Sequence, residues 1–227
     1  MTKKRVFLVA LAVCLIAILS MSTLAWFSAE DEVENKFMFT TSDENDANKI
    51  FSVDVSETTP AGEDTDGYEY TEVLPGDELL KTAKVTNTGF YDQFIRVTIE
   101  LSDAAVWGEA LQGAFTVDTL KECVVGFDSA MWTNASVDVV DGKVKVVLYY
   151  NGILDGSDTN NDTATETSTI TVFEKIKVTT KLTQAQAAKM ADGFTVDVKA
   201  EAIQTENWGD GIDTAYEAFA KLDAERA

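Results

Sequence analysis

Strict two-residue alternation, repeated several times along the chain, most limits what this sequence can become. Ile95, Val97, Ile99 and Leu101 alternate with Arg96, Thr98 and Glu100. Val144, Val146, Leu148 and Tyr150 repeat the pattern, as do Phe194, Val196, Val198, Ala200 and Ala202. Ile170, Val172, Ile176 and Val178 share a face interrupted by Glu174. A period of two puts one row of side chains on each face of a strand, so each run reads as a strand with one buried face. Several such strands need a second layer to cover them, and the reading is an all-β sandwich.

Turn chemistry punctuates the runs. Asp141-Gly142 separates Val137-Asp-Val-Val140 from Lys143-Val-Lys-Val-Val147. Both residue types accept positive φ, which predicts a type I′ hairpin. Pro75-Gly76-Asp77, between runs 68–73 and 79–85, predicts a second turn, and Asn87-Thr88-Gly89 marks a third break. Three short stretches read as peripheral helices. They are 102–111, 183–192 with Thr183 as N-cap and Gly193 as stop, and a C-terminal helix capped by Asp210 or Asp213. The last carries Ile212, Tyr216, Phe219 and Leu222 at helical spacing, a stripe for packing on the sandwich or for docking a partner. Residues 57–67 and 155–168 are rich in turn formers and acidic side chains, and read as surface loops.

The chain begins with Lys3-Lys4-Arg5, an apolar run over 6–19 and a small-residue exit ending Thr23-Leu24-Ala25. That is the layout of a secretory signal peptide, with cleavage between Ala25 and Trp26. Uncleaved, about 20 residues would suffice to hold the chain in a membrane, its only membrane contact. The expected organisation is a signal peptide over 1–25 and one β-sandwich domain over 26–227. Residues 1–25 hold three of the 18 basic residues and none of the 39 acidic ones. The mature chain therefore carries 15 basic against 39 acidic residues, a net charge of −24. Such a surface argues against nucleic-acid binding. Only Cys123 remains after cleavage, in an apolar setting, so the fold rests on its core rather than on a disulfide.

The sequence contains no histidine, which removes Ser-His-Asp triads, Cys-His dyads and His-containing zinc sites. No HExxH, GxSxG, P-loop or CxxC motif occurs, so no catalytic or cofactor-binding residues are assigned. Asp158, Asn160 and Asp162 alternate like the start of a calcium loop. Thr163 stands where a Gly is wanted and Thr169 where the closing Glu belongs, so they are a weak calcium candidate beside the plainer reading of a solvated acidic loop. After Trp26-Phe27, residues Val33, Phe37 and Phe39 fall at even spacing with Asn35 between. Such a segment either forms the first strand of its own domain or pairs with an open sheet edge of a neighbouring copy, making a fibre.

The exit Thr23-Leu-Ala-Trp-Phe27 with Asn35-Lys-Phe37 resembles the secretion signals handled by the dedicated signal peptidase of Gram-positive matrix proteins. Leu74-Pro-Gly-Asp77, Lys84-Val-Thr-Asn-Thr-Gly89, Ile95-Arg-Val-Thr-Ile99 and Val198-Lys-Ala-Glu-Ala-Ile-Gln204 are similar, in that order, to the TasA/camelysin family. The resemblance covers the leader, the first third of the mature domain and the closing strand. It implies a jelly-roll sandwich, secreted to the cell surface or extracellular matrix, that self-associates into biofilm fibres by donor-strand exchange. The mobile donor segment would be 26–41, with Val33, Phe37 and Phe39 as its apolar residues, and the partners would be other copies and the signal peptidase. The camelysin branch is classed as a metalloendopeptidase, a role for which this chain lacks the usual His ligands. A monomeric surface adhesin is the remaining alternative.

Overall fold

The computed structural model describes residues 28–32, 35–36, 53–58, 70, 72–156, 168–190, 193–206, 208 and 211–226. Ten strands among the described residues form two antiparallel sheets. They are β1 (Ser28–Glu32), β2 (Asn35–Lys36), β3 (Val53–Thr58), β4 (Glu78–Asn87), β5 (Gln93–Leu101), β6 (Val124–Val125), β7 (Trp132–Val140), β8 (Lys143–Tyr150), β9 (Thr169–Lys177) and β10 (Val196–Gln204). The larger sheet runs β2-β1-β10-β5-β8-β7 and the smaller β3-β4-β9-β6. Pairing proceeds from the two ends of the chain inward: β1 with β10, β4 with β9, β5 with β8. This nesting, split over two layers, gives a jelly-roll-like β-sandwich.

The alternating runs bury the faces that the sequence predicts. Ile95, Val97, Ile99, Leu101, Val144, Val146, Leu148, Val196, Val198, Ala200 and Ala202 face a shared core. From the smaller sheet, Val53, Ala83, Val85, Ile170, Val172 and Ile176 meet them. Phe173 is also fully buried, beside Val172. Compensating register shifts where β4 pairs with β9, on either side of Ala83, place it inside. The Asp141-Gly142 hairpin forms with φ of 51° and 79°. At Pro75-Gly76, Gly76 takes φ 102° and the Asp77 N–H donates to the Leu74 carbonyl at 3.0 Å. At the third break the Asn87 side chain replaces the ladder. Its Nδ2 donates to the carbonyls of Tyr91 and Leu154, and its Oδ1 accepts from Gly89 N–H.

Four described α-helices lie at the periphery: α1 (Ala104–Leu111), α2 (Val117–Leu120), α3 (Gln184–Lys189) and α4 (Ala215–Arg226). Thr183 caps α3 in a reciprocal box with Gln186. At α4 the cap differs from expectation. Thr214 Oγ1, rather than Asp213, accepts the Glu217 N–H, while the Glu217 carboxylate accepts from Asp213 N–H and Thr214 O–H; Asp210 lies outside the described residues. The α4 stripe packs on the outer face of the large sheet through Phe219 and Leu222, whereas Tyr216 stays 41% exposed.

Two other expectations are corrected. Glu57 and Thr58 belong to strand β3 rather than to a surface loop, and Glu57 is only 4% exposed. A polar strand of Val-Asp-Val-Ser-Glu-Thr offers little alternation to read. The run 68–73 forms no strand among its described residues, and Glu72 adopts φ 60°.

Candidate functional site

No catalytic constellation is present among the described residues. No three His, Cys, Asp or Glu side chains there are grouped to hold a metal ion. Cys123 is 1% exposed, and burial pushes its thiol up to about 12, so it is not a nucleophile in the folded state. What the fold offers instead is hydrogen-bonding backbone at the edges of its sheets, one of which is built from the two ends of the chain.

That edge centres on β10. One side of β10 pairs with β5 along its whole length, from Val196 opposite Leu101 to Gln204 opposite Gln93. The other side receives β1, from Ser28 opposite Ile203 to Glu32 opposite Lys199. β2 then pairs back on β1, with Asp31 opposite Lys36 and Glu32 opposite Asn35. β3 lies close to both β1 and β10, so the same flank of the sandwich carries the edge of each sheet.

The inner row of β10, Val196, Val198, Ala200 and Ala202, anchors it in the core. Its outer row is fixed by Arg96 of β5. The Arg96 guanidinium donates two hydrogen bonds to Glu201, at 2.6 and 2.8 Å, and one to Asp223 of α4 at 2.5 Å. Its Cζ lies 4.4 Å from the centre of the Phe219 ring. Burial alone would lower the Arg96 pKa, but the two carboxylates more than offset this and hold the group charged. Ile203 completes the attachment by packing with Phe94, Trp208, Ala215, Ala218, Phe219 and Leu222. Trp208 Nε1 donates to the Gln204 carbonyl at 2.6 Å, at the end of β10. One face of β10 is thus held by the core and the other by a helix, and its remaining lateral side carries β1.

Neither a family model, nor a curated protein, nor a solved structure matches this chain.

Of the residues singled out in the sequence, Ala25, Trp26, Val33, Phe37 and Phe39 lie outside the described residues, as do Asp158, Asn160 and Asp162. Within segment 26–41 the described parts are β1 and β2. The sequence reading did not find the Arg96 clasp. Its signal was faint: Arg96 is one of three arginines, and the only one between Arg5 and Arg226. It also missed the buried pair of Glu57 with Lys81, at 2.5 Å, in which Glu57 Oε1 has no hydrogen-bond partner among the described residues.

Proposed function

We propose that the protein is a secreted structural subunit of cell-surface or biofilm-matrix fibres, joined by exchange of the N-terminal strand segment between copies. The observation that carries this reading is the pairing of β1, inside segment 26–41, with the lateral edge of β10. A strand near a chain end, held on one side of a sheet, can be supplied by another copy without rethreading the fold. The resemblance to the TasA/camelysin family supports the same reading, as does the signal-peptide layout of residues 1–25. The absence of histidine and of catalytic motifs in the sequence favours a structural role over a peptidase.

Secreted protein should begin at Trp26 on N-terminal sequencing and show filaments by negative-stain electron microscopy. A variant lacking residues 26–41 should stay monomeric. Polymerisation of that variant would overturn strand exchange, and a wild-type protein that stays monomeric at high concentration would overturn the fibre reading.

A further inference from the structure

We propose that the outer edge of β7 is a self-pairing surface: two copies of the chain join edge to edge, β7 antiparallel to β7, about a two-fold axis at Val139. This edge stands at the far end of the large sheet from β1 and β2, so the pairing does not depend on the fibre reading.

β7 is the last strand of its sheet, paired with β8 on one side and with no described strand on the other. A bare edge is a template for another strand, and proteins blunt such edges with bulges, charges or proline. β7 is blunted over its first half, by the register shift between Thr133 and Ser136. From Ser136 to Val140 the ladder is regular, Asp138 is the one charged residue, and Val139 and Val140 are 65% and 51% exposed. Val140 and Lys143 close the two-residue turn as a hydrogen-bonded pair. Bonding alternates along an antiparallel pair, so Val139, and Val137 two residues before it, turn their N–H and C=O groups away from β8.

Charge and register point to a second copy as the occupant. The chain carries a net −21, which keeps copies apart. The β7–β8 hairpin, 132–150, holds two acidic residues, Asp138 and Asp141, and two basic ones, Lys143 and Lys145, a net charge of zero. It meets a copy of itself without net repulsion. Pairing centred on Val139 sets Val139 opposite Val139, and Asp138 of each copy opposite Val140 of the other. Directly opposed residues share a face of the sheet. On one face a row then runs Val144, Val139, Val139, Val144, and the two exposed valines cover each other. On the other face Asp138 has its own Lys145 on one side and, beyond Val140 of the other copy, that copy's Lys143 on the far side. The Lys143 side chain is 44% exposed and holds Glu100 and Asp197 at 3.4 and 3.5 Å, loosely enough to turn toward a third carboxylate. Pairing centred on Asp138 would instead set Asp138 directly against Asp138, an unfavourable like-charge contact. Pairing centred on Val137 would run into the bulge.

The test reads both the pairing and its register. Two single variants of the full chain, Val139→Cys and Asp138→Cys, are made in a secreting host and exposed to a mild oxidant. Opposed Cα atoms at a hydrogen-bonded position are about 5.5 Å apart, within disulfide range, whereas diagonal neighbours stand about 7–8 Å apart. Val139→Cys should therefore give a covalent dimer on a non-reducing gel about tenfold faster than Asp138→Cys, and urea should abolish the difference. Cys123 is buried and contributes the same background to both. In the otherwise unsubstituted chain, Val139→Lys places two like charges on the axis and should weaken self-association without lowering the melting temperature. No dimer from Val139→Cys, equal rates for the two cysteines, a faster Asp138→Cys, or undiminished self-association of Val139→Lys would each overturn the proposal. Protein that gives the Val139 crosslink but forms no filaments would support β7 pairing and count against the fibre reading alone.

Discussion

At the scale of single residues, one partly buried guanidinium, that of Arg96, links three elements of the molecule. It joins β5, β10 and α4 through Glu201, Asp223 and Phe219. Arg96→Ala leaves the mostly buried Glu201 carboxylate without its partner and removes the anchor of α4. The expected loss is about 2–4 kcal/mol, below the top of the range for broken buried pairs because Asp223 is half exposed. Urea unfolding with far-UV dichroism checks this, and a loss under 1 kcal/mol would show the clasp to be idle. Two glycines make a sharper comparison. Gly142 has φ 79° with open space around it, so Gly142→Ala costs only backbone strain, about 1 kcal/mol. At Gly156 a Cβ would stand 2.0 Å from the Phe90 carbonyl oxygen, so Gly156→Ala must displace backbone and cost more, about 2–3 kcal/mol. Equal destabilisation of the two variants would refute the close approach at Gly156. Cys123, buried and with its thiol pushed up, should resist a thiol reagent at mildly alkaline pH until the protein is unfolded.

At the scale of elements, exposed ion pairs link neighbours at the periphery. Lys189 of α3 meets Glu109 of α1 at 2.7 Å, and Lys175 of β9 meets Glu78 of β4 at 2.8 Å. The lysines hold both carboxyls below the ordinary 4.5, and the Thr214 hydroxyl and Asp213 N–H do the same for Glu217. A carboxyl depressed in the folded state contributes stability above its unfolded pKa and loses it as pH falls through the folded value. The melting temperature of Glu109→Gln should therefore lie slightly below wild type at neutral pH and converge with it as the pH falls below 4.5 and through the depressed folded-state value. A gap that widens on acidification would reverse the sign and reject the assignment. Legibility in the sequence also divides by element. β5, β8 and β10 could be read because strict alternation and an Asp-Gly turn are local properties. β3 could not, because its polar residues hide a buried Glu57 whose partner, Lys81, is met only through β4. Phe173 enters the core through register shifts, and the pairing of β1 with β10 joins opposite ends of the chain. No local pattern encodes either.

At the scale of the whole molecule, charge opposes association. The expected mature chain carries a net −24, 15 basic against 39 acidic residues, and in the proposed fibre two copies must approach closely for strands to exchange. Salt shortens the range of that repulsion, from about 30 Å at 0.01 M to about 8 Å at 0.15 M. Filament growth, measured as pelletable protein over time, should accelerate across that interval. Growth that slows with added salt would mean that attraction between opposite charges, not pairing of backbone edges, drives assembly.

The placement of β1 beside β10 also has a meaning in time. β1 is the first of the described strands and its partner β10 the last, so during synthesis β1 is made before the strand it pairs with. Until β10 is made, β1 has no edge of its own to join. A finished copy already outside, if its β10 is uncovered, then competes with a partner that does not yet exist. If the protein is exported and exchanges strands as proposed, strand transfer between copies therefore meets the least competition at the moment of export, and fibres lengthen most readily where new chains emerge.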